Sequence, residues 1–348
     1  MIWDTFLFSS ELDLLELRLW ETEDVVDRWL IAESKTTHSG HRKPLFYLEN
    51  RDRFARWNRR IEHAVFDLPE GSDCPQNNLL REIHQRTQIG LHLENHGIRD
   101  DDVVMLSDVD EIPCEAALKR YKPDMGLMAV ETPHSYYWLN TCGGGWGAIR
   151  IGTWKQIMAA VGNDFQSLRH VGRDLPLLRA DPNVWGSGGW HLSFTGGVEA
   201  IQQKMAWYQH TNLATGSLMN PRWLRACAWT GMNLLMALSP TMNGWFKFTP
   251  EPLVMPKAIG RFPGLLASGV RFAYPENADS VRDAFVRATD AREVGIWYPA
   301  GDCGLQALAV AAARWPQKLQ VDCCGLHEER EQFWHNVKAL GATNVVEA

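Results

Sequence analysis

Val103-Val104-Met105-Leu106-Ser107-Asp108-Val109-Asp110-Glu111-Ile112-Pro113 is an apolar run that ends in three acids and a proline. Four consecutive apolar residues with β-branched members fit a central parallel strand covered on both faces, and Pro113 cannot donate to a ladder. The acids therefore fall at the strand's carboxyl end, where ligands bind in open α/β sheets. Two aspartates one residue apart can turn their oxygens toward one hard cation, and such a cation can bridge a diphosphate. The plainer reading of an isolated Asp-X-Asp is a solvated turn capping a helix; the buried strand in front of it favours the ligand edge.

Upstream, residues 2–10 read as a first strand, and Glu11-Leu12-Asp13-Leu14-Leu15-Glu16-Leu17-Arg18-Leu19 has helical spacing with an acid-rich first turn. Val25-Val26-Asp27-Arg28-Trp29-Leu30-Ile31-Ala32-Glu33 is again an apolar strand ending in a carboxylate. The polar loop behind it, with Thr36, Thr37, His38 and Gly40, is expected at the same edge. Residues 61–66 offer a third short strand. Residues 77–95 form a helix carrying Arg81 and Arg86, with Leu80, Ile83, Ile89 and Leu93 as its apolar positions. This alternation predicts an α/β fold with an open, mostly parallel twisted sheet and right-handed crossovers, whose first half binds a nucleotide.

Downstream, residues 126–131 and 136–140 read as further strands, with Gly143-Gly144-Gly145 breaking the pattern. Ser187-Gly188-Gly189-Trp190-His191-Leu192-Ser193-Phe194 is a glycine-flanked strand presenting one indole and one imidazole. A lone histidine there is more often structural, but paired glycines permit close backbone approach to a ligand. Lys204 and His210 follow on an expected helix. Pro250, Pro252, Pro256 and Pro263 mark a tether wrapping the first domain.

Composition narrows the function. Lys and Arg total 35 against 42 Asp and Glu, so the net charge is 35 − 42 = −7. With no basic run beyond Arg59-Arg60, nucleic acid and anionic membrane surfaces are disfavoured as partners. The amino terminus has no basic segment or cleavage site and no apolar stretch is long enough to span a bilayer, so cytoplasmic residence without a transmembrane helix is expected. Seven cysteines without a CxxC suit reduced thiols and argue against a disulfide framework or a zinc site. The 16 tryptophans fill cores for the most part, and their rings also suit stacking on sugars.

Several stretches together resemble one family. Asp4-Thr5-Phe6-Leu7-Phe8 leading into Glu11-Leu12-Asp13-Leu14-Leu15-Glu16, then Thr36-Thr37-His38-Ser39-Gly40 with Lys43-Pro44-Leu45, Asp100-Asp101-Asp102 before the Asp108 motif, and Gly189-Trp190-His191 look like glycosyltransferase family 17. The resemblance runs over about residues 2–265. It implies a GT-A type fold and an inverting transfer, assisted by Mn2+ or Mg2+, from a UDP-sugar such as UDP-N-acetylglucosamine to a glycan hydroxyl. By position it implies Asp108 and Asp110 at the metal and diphosphate, Glu33 at uracil, Lys204 at the donor and His191 as a third metal ligand. The base that accepts the acceptor's proton is open among Glu131, Asp174, Asp181 and His191; each of the acids also reads as an ordinary strand-end or loop carboxylate. The family's Golgi members carry an amino-terminal membrane anchor that is not seen in this sequence, which points away from N-glycan acceptors.

The predicted organisation is a glycosyltransferase domain over 1–265, a linker over 266–275 and a small module over 276–348. In that module Val294-Gly295-Ile296-Trp297-Tyr298-Pro299-Ala300, Gly301-Asp302-Cys303-Gly304 and the following strand, helix and strand resemble the opening half of a Rossmann-like methyltransferase. Two glycines stand where three are usual, and the second strand ends in Cys323-Cys324-Gly325 rather than an acid. A non-catalytic docking or homo-oligomerisation module is therefore expected. Two other function classes use the same residues: a phosphoryl or nucleotidyl transferase built on the paired acids, and a non-catalytic carbohydrate-binding protein. The first lacks a phosphate-cradling glycine loop in residues 1–115, and the second has no use for a diphosphate clamp.

Overall fold

A computed structural model describes residues 1–171, 175–208, 216–221, 224, 227–228, 233–234, 247–248, 255–265, 319–321 and 345–347. In chain order its strands are β1 (Ile2–Leu7), β2 (Arg28–Glu33), β3 (Ile61–Val65), β4 (Val103–Asp108), β5 (Glu111–Pro113), β6 (Met128–Tyr136), β7 (Thr141–Cys142), β8 (Gly145–Thr153), β9 (Leu177–Leu178), β10 (Gly189–Ser193), β11 (Lys247–Phe248), β12 (Leu319–Val321) and β13 (Val345–Glu347). The helices are α1 (Leu12–Thr22), α2 (Phe46–Glu49), α3 (Pro75–Asn95), α4 (Glu115–Arg120), α5 (Trp154–Val161), α6 (Phe165–Leu168) and α7 (Gly197–Trp207).

The chain divides into two units. The first comprises Met1–Ser135, Gly144–Thr215 and Leu253–Leu265 and holds a mixed sheet in the order β3-β2-β1-β4-β8-β6-β10-β5, with β9 against β6. Strands β3, β2, β1 and β4 are parallel. Beyond β4 the expectation of a mostly parallel sheet fails, because β8 pairs antiparallel with both β4 and β6, and β10 with β5. For β6 and β8 a short connection causes this: the eight residues 137–144 between them are too few for the crossover that a parallel neighbour requires.

Burial explains the sequence pattern. Val104, Met105 and Leu106 are fully enclosed, and Leu30, Ala32, Ile89, Leu93, Trp154 and Phe165 close around the β4 face. Helix α3 buries Asn78, Arg81, Gln85 and Arg86 in its first half and Ile89, Gly90 and Leu93 in its second. Leu80, expected in the core, is exposed, because the amino half of α3 faces polar loops rather than apolar core. Arg81 there donates to the carbonyls of Pro69, His38 and Gly71. Gly90 admits Phe165: a Cβ at residue 90 would stand 2.4 Å from that ring.

The segment 255–265 returns to the first unit, with Lys257 donating its backbone N–H to Glu21 and its ammonium meeting Asp24 and Glu115. In the second unit (Tyr136–Gly143, Gly216–Pro252 and Leu266–Ala348), β11 pairs with β7, and β12 pairs in parallel with β13. The expected linker over 266–275, the glycine turn at 301–304 and the helix between β12 and β13 lie outside the described residues, as do Asp174 and His210. No helix among the described residues is long and apolar enough to cross a membrane.

Candidate active site

Parallel register sets Leu7 beside both Ala32 and Asp108, so β1, β2 and β4 open their carboxyl ends on one edge. That is the edge at which such sheets bind ligands. A cleft of about 1020 Å3 lies there. Ser9, Ser10 and Glu11 line it from the end of β1; Ser34, Thr36, Thr37, His38 and Lys43 from the loop after β2; and Asp108, Asp110 and Glu111 from the β4–β5 turn.

The turn is held from behind. Arg18 of α1, completely buried, grips Asp4 through two nitrogens at 2.8 and 2.5 Å. It also donates to Ser107 Oγ at 2.6 Å and to the carbonyls of Asp108 and Glu111 at 2.9 and 2.7 Å. A guanidinium offers five donors in a rigid fork, which is why one side chain fixes both ends of the turn. Antiparallel pairing of β5 with β10 sets His191 opposite Glu111 and so brings the Gly-Trp-His stretch to the acids. The paired glycines serve this pairing rather than a ligand. A Cβ at Gly189 would meet the Ile112 carbonyl oxygen at 2.2 Å, and one at Gly188 the Glu131 carbonyl oxygen at 2.2 Å.

Each acid has a basic counterpart. Asp110 accepts from Lys204 of α7 at 2.6 Å, with His191 Nε2 at 3.9 Å. Burial opposes its charge, but Lys204 and His191 outweigh burial and keep the carboxyl below its ordinary range. Asp108 meets Arg86 at 2.9 Å and Arg169 at 3.4 Å; burial nonetheless pushes its carboxyl up, assisted by the charges of Glu111 and Asp110. Glu111 is enclosed too, yet two bonds from Arg169 at 2.8 Å, with the Asp108 N–H at 2.9 Å, hold it well below the carboxylate range. Trp146 Nε1 donates to its other side at 2.6 Å. Burial lowers His191, so its imidazole is neutral near pH 7.

Six buried side-chain atoms of the cleft wall have no hydrogen-bond partner: Asp108 Oδ1, Arg86 Nε and Nη1, Arg150 Nε, Gln166 Oε1 and His191 Nδ1. Each unsatisfied group costs about 1–3 kcal/mol, so this concentration marks a wall shaped for polar, charged ligands. For a divalent cation the donors fit in kind. Asp108 Oδ1 has an ion-pair contact with Arg86 but no hydrogen bond, and hard carboxylate oxygens suit Mn2+ or Mg2+ supplemented by substrate phosphates. Asp108, Asp110 and His191 do not by themselves bring three ligand atoms into one cluster.

The structure gathers Asp108, Asp110, His191 and Lys204 in the cleft and keeps the remaining described candidates out of it. Glu33 is completely buried between Lys43 Nζ at 3.2 Å and His63 Nε2 at 2.9 Å. Glu33, expected at uracil, does not line the cleft; Lys43, which it holds, does. Glu131, expected as a possible base, is clamped by Arg179 at 2.6 and 2.8 Å and by the Gly186 N–H at 2.9 Å; Arg179 and that N–H overcome burial and keep it ionised. Asp181 is exposed and caps a local turn through the Asn183 N–H. Neither lines the cleft. Arg169, Trp146 and Arg150 were not singled out in sequence; nothing near Arg169 signals that it reaches Glu111, 58 residues away.

Residues 1–129 match glycosyltransferase family 17. The β-1,4-mannosyl-glycoprotein 4-β-N-acetylglucosaminyltransferase of Rattus norvegicus is 26% identical over 270 residues, covering 70% of this chain and 48% of the relative. The Mus musculus protein of that name gives the same values. The Homo sapiens protein is 33% identical over 112 residues, 30% of this chain and 20% of the relative. The chain thus spans about half the length of the rat and mouse relatives it matches.

Proposed function

We propose, from the family 17 pattern over residues 1–129, that this chain is a glycosyltransferase of GT-A type. It moves N-acetylglucosamine, or a similar sugar, from a UDP-sugar to a glycan hydroxyl with inversion. The observation that carries the reading is the set of paired acids at the carboxyl end of β4, facing the unpartnered donors of Arg86 and Arg150 in one cleft. A diphosphate supplies the acceptors those donors lack. The hydroxyls of Thr36 and Thr37 and the imidazole of His38 give the nucleoside end polar contacts on the β2 side.

Asp108 and Asp110 would hold a manganese or magnesium ion, which when bound neutralises charge developing on the departing UDP. Lys204 and Arg86 hold the phosphates from either side of the acids. His191 is the base: neutral near pH 7, it takes the acceptor hydroxyl's proton on Nε2 while the acceptor oxygen bonds to the anomeric carbon and the UDP oxygen leaves.

Incubation with a panel of UDP-sugars and Mn2+, with UDP release as the readout, tests the reaction. Release with none of them, with or without a divalent cation, would sink it. His191→Asn should abolish transfer while keeping UDP binding. Transfer that survives in His191→Asn but fails in Asp174→Asn would move the base to residue 174. Proton NMR of fresh product should show a β linkage from the α-configured donor; an α linkage would refute inversion.

A further inference from the structure

Away from the cleft, Glu62 of β3 and two histidines at the end of α3, His92 and His96, bring three ligand atoms within 4.8 Å of one another. None of the three lines the cleft. His96 is already oriented as a ligand, and a metal would displace the proton that His92 Nε2 shares with Glu62. His96 Nδ1 lies 2.7 Å from the His92 carbonyl oxygen, which can only accept, so Nδ1 carries the proton and Nε2 of the neutral ring carries a lone pair. That lone pair faces Glu62 Oε1 at 3.7 Å. Two acceptors set against one another gain nothing unless a positive centre stands between them. His92 Nε2 reaches the same oxygen at 2.5 Å, and the two imidazoles stack with centroids 4.0 Å apart and planes 22° from parallel.

We propose that Glu62, His92 and His96 bind a zinc-class divalent metal that pins edge strand β3 to the carboxyl end of α3. Residues four apart at the end of a helix point the same way, which places the two ring nitrogens side by side. Tetrahedral zinc with bonds of about 2.0–2.1 Å needs its donors about 3.3 Å apart, between the 2.5 and 3.7 Å seen here, so modest side-chain rotation completes the set. Two imidazoles and one carboxylate suit zinc, nickel or cobalt rather than the hard cations that the cleft acids suit. A carbonyl holding the far nitrogen of a ligating histidine is the usual outer support of such sites. His96 is half-exposed, which leaves a coordination position open to solvent. The site sits on the sheet's terminal strand, where, among the described residues, β3 has only β2 for a neighbour, so a bound ion ties down an edge that the ladder secures on one side.

Calorimetric titration of zinc into the full, chelator-dialysed chain should show one site of about micromolar affinity or tighter, and cobalt should give the visible absorption of a tetrahedral nitrogen–oxygen site. His96→Ala and Glu62→Gln should each weaken zinc by at least about tenfold, whereas Asp110→Ala leaves it unchanged. Zinc should raise the melting temperature of the wild type by about 5 °C and that of His96→Ala by much less. His96 caps a helix at the surface, so the variant folds, and circular dichroism checks this. Zinc binding that is identical in wild type, His96→Ala and Glu62→Gln, or millimolar in the wild type, overturns the proposal. Loss in Asp110→Ala instead would assign the ion to the cleft and overturn it equally.

Discussion

Strands β3, β2, β1 and β4 on one side of the sheet, and β8, β6, β10 and β5 on the other, deliver different chemistry to the same cleft. The parallel side contributes what lies at strand ends: hydroxyls after β1 and β2 and the carboxylate of Asp108. Arg86 of α3 answers Asp108 from the parallel side, whereas the antiparallel side and the helices after it contribute Glu111 and the more distant partners: Trp146, Arg150, Arg169, His191 and Lys204. Acid and counter-ion are thus separated by 58 residues for Glu111 and Arg169, and by 94 for Asp110 and Lys204. Local chain geometry makes the first set, and long-range pairing makes the second.

Removing the central acid should have the largest effect. Asp110→Ala is expected to reduce transfer to background while preserving the fold, because Lys204 opens on the cleft and is not stranded in apolar core. Glu131→Gln, on the antiparallel side but outside the cleft, should leave turnover near wild type. Equal losses in the two variants, measured as UDP release at saturating donor, would erase the distinction between cleft carboxylates and structural ones.

Next in size is the support beneath the turn. Arg18→Ala leaves Asp4 charged and enclosed, which should cost about 3 kcal/mol of stability in urea unfolding. Loss of under about 1 kcal/mol would mean that the Arg18 network does not hold the β4–β5 turn. A smaller change sharpens the role of the guanidinium in the cleft. Arg86→Lys keeps a positive charge beside Asp108 but loses the fork with its two unpartnered donors, so UDP binding should weaken about tenfold, ~1.4 kcal/mol. Unchanged affinity would show that Arg86 only balances charge.

The same contrast explains what could be read in advance. An apolar run ending in acids identifies β4 and its ligand edge, because a strand's burial and its exit residue are adjacent in sequence. Helix α3 was legible as a helix, and Ile89 and Leu93 as part of its inward face, but the amino-terminal half of that face was not: Asn78, Arg81, Gln85 and Arg86 are buried, as a search for an apolar stripe does not anticipate. The fate of Glu33 and Glu131 depended on cations 10 and 48 residues away, Lys43 and Arg179. Cysteine spacing spoke against zinc, yet the Glu62, His92 and His96 cluster uses no cysteine and joins residues 30 apart. Gly188 and Gly189 were visible as a place of close approach; that the approaching group is backbone of neighbouring strands follows only from the pairing.

The smallest expected effect concerns acid, and it falls on the antiparallel side. His134, in β6, stacks on His191 with centroids 4.4 Å apart and lies against Trp146. Burial first, and the neighbouring His191 second, pull its pKa down to about 3, although Asp110 and Glu111 pull the other way and Lys204 adds to the lowering. In the unfolded chain a histidine titrates near about 6.5. From about pH 7 to about pH 5 the unfolded state therefore takes up a proton at residue 134 that the folded state refuses. Stability rises with pH wherever the unfolded state binds more protons, so acidification over this window must destabilise the fold. His191, lowered by burial, acts in the same direction. The carboxylates held low by Lys204 and Arg169 contribute only below about pH 4.5, where their unfolded counterparts begin to protonate, while Asp108 and Glu21, raised by burial, act in the opposite sense, so the difference between wild type and a residue 134 variant is what isolates the imidazole. Urea midpoints of the chelator-treated protein should fall between about pH 7 and about pH 5, and His134→Asn should flatten that fall. A midpoint independent of pH, or a fall of equal size in the variant, would mean that the stacked pair is not held neutral and that His191 must be reconsidered as a base.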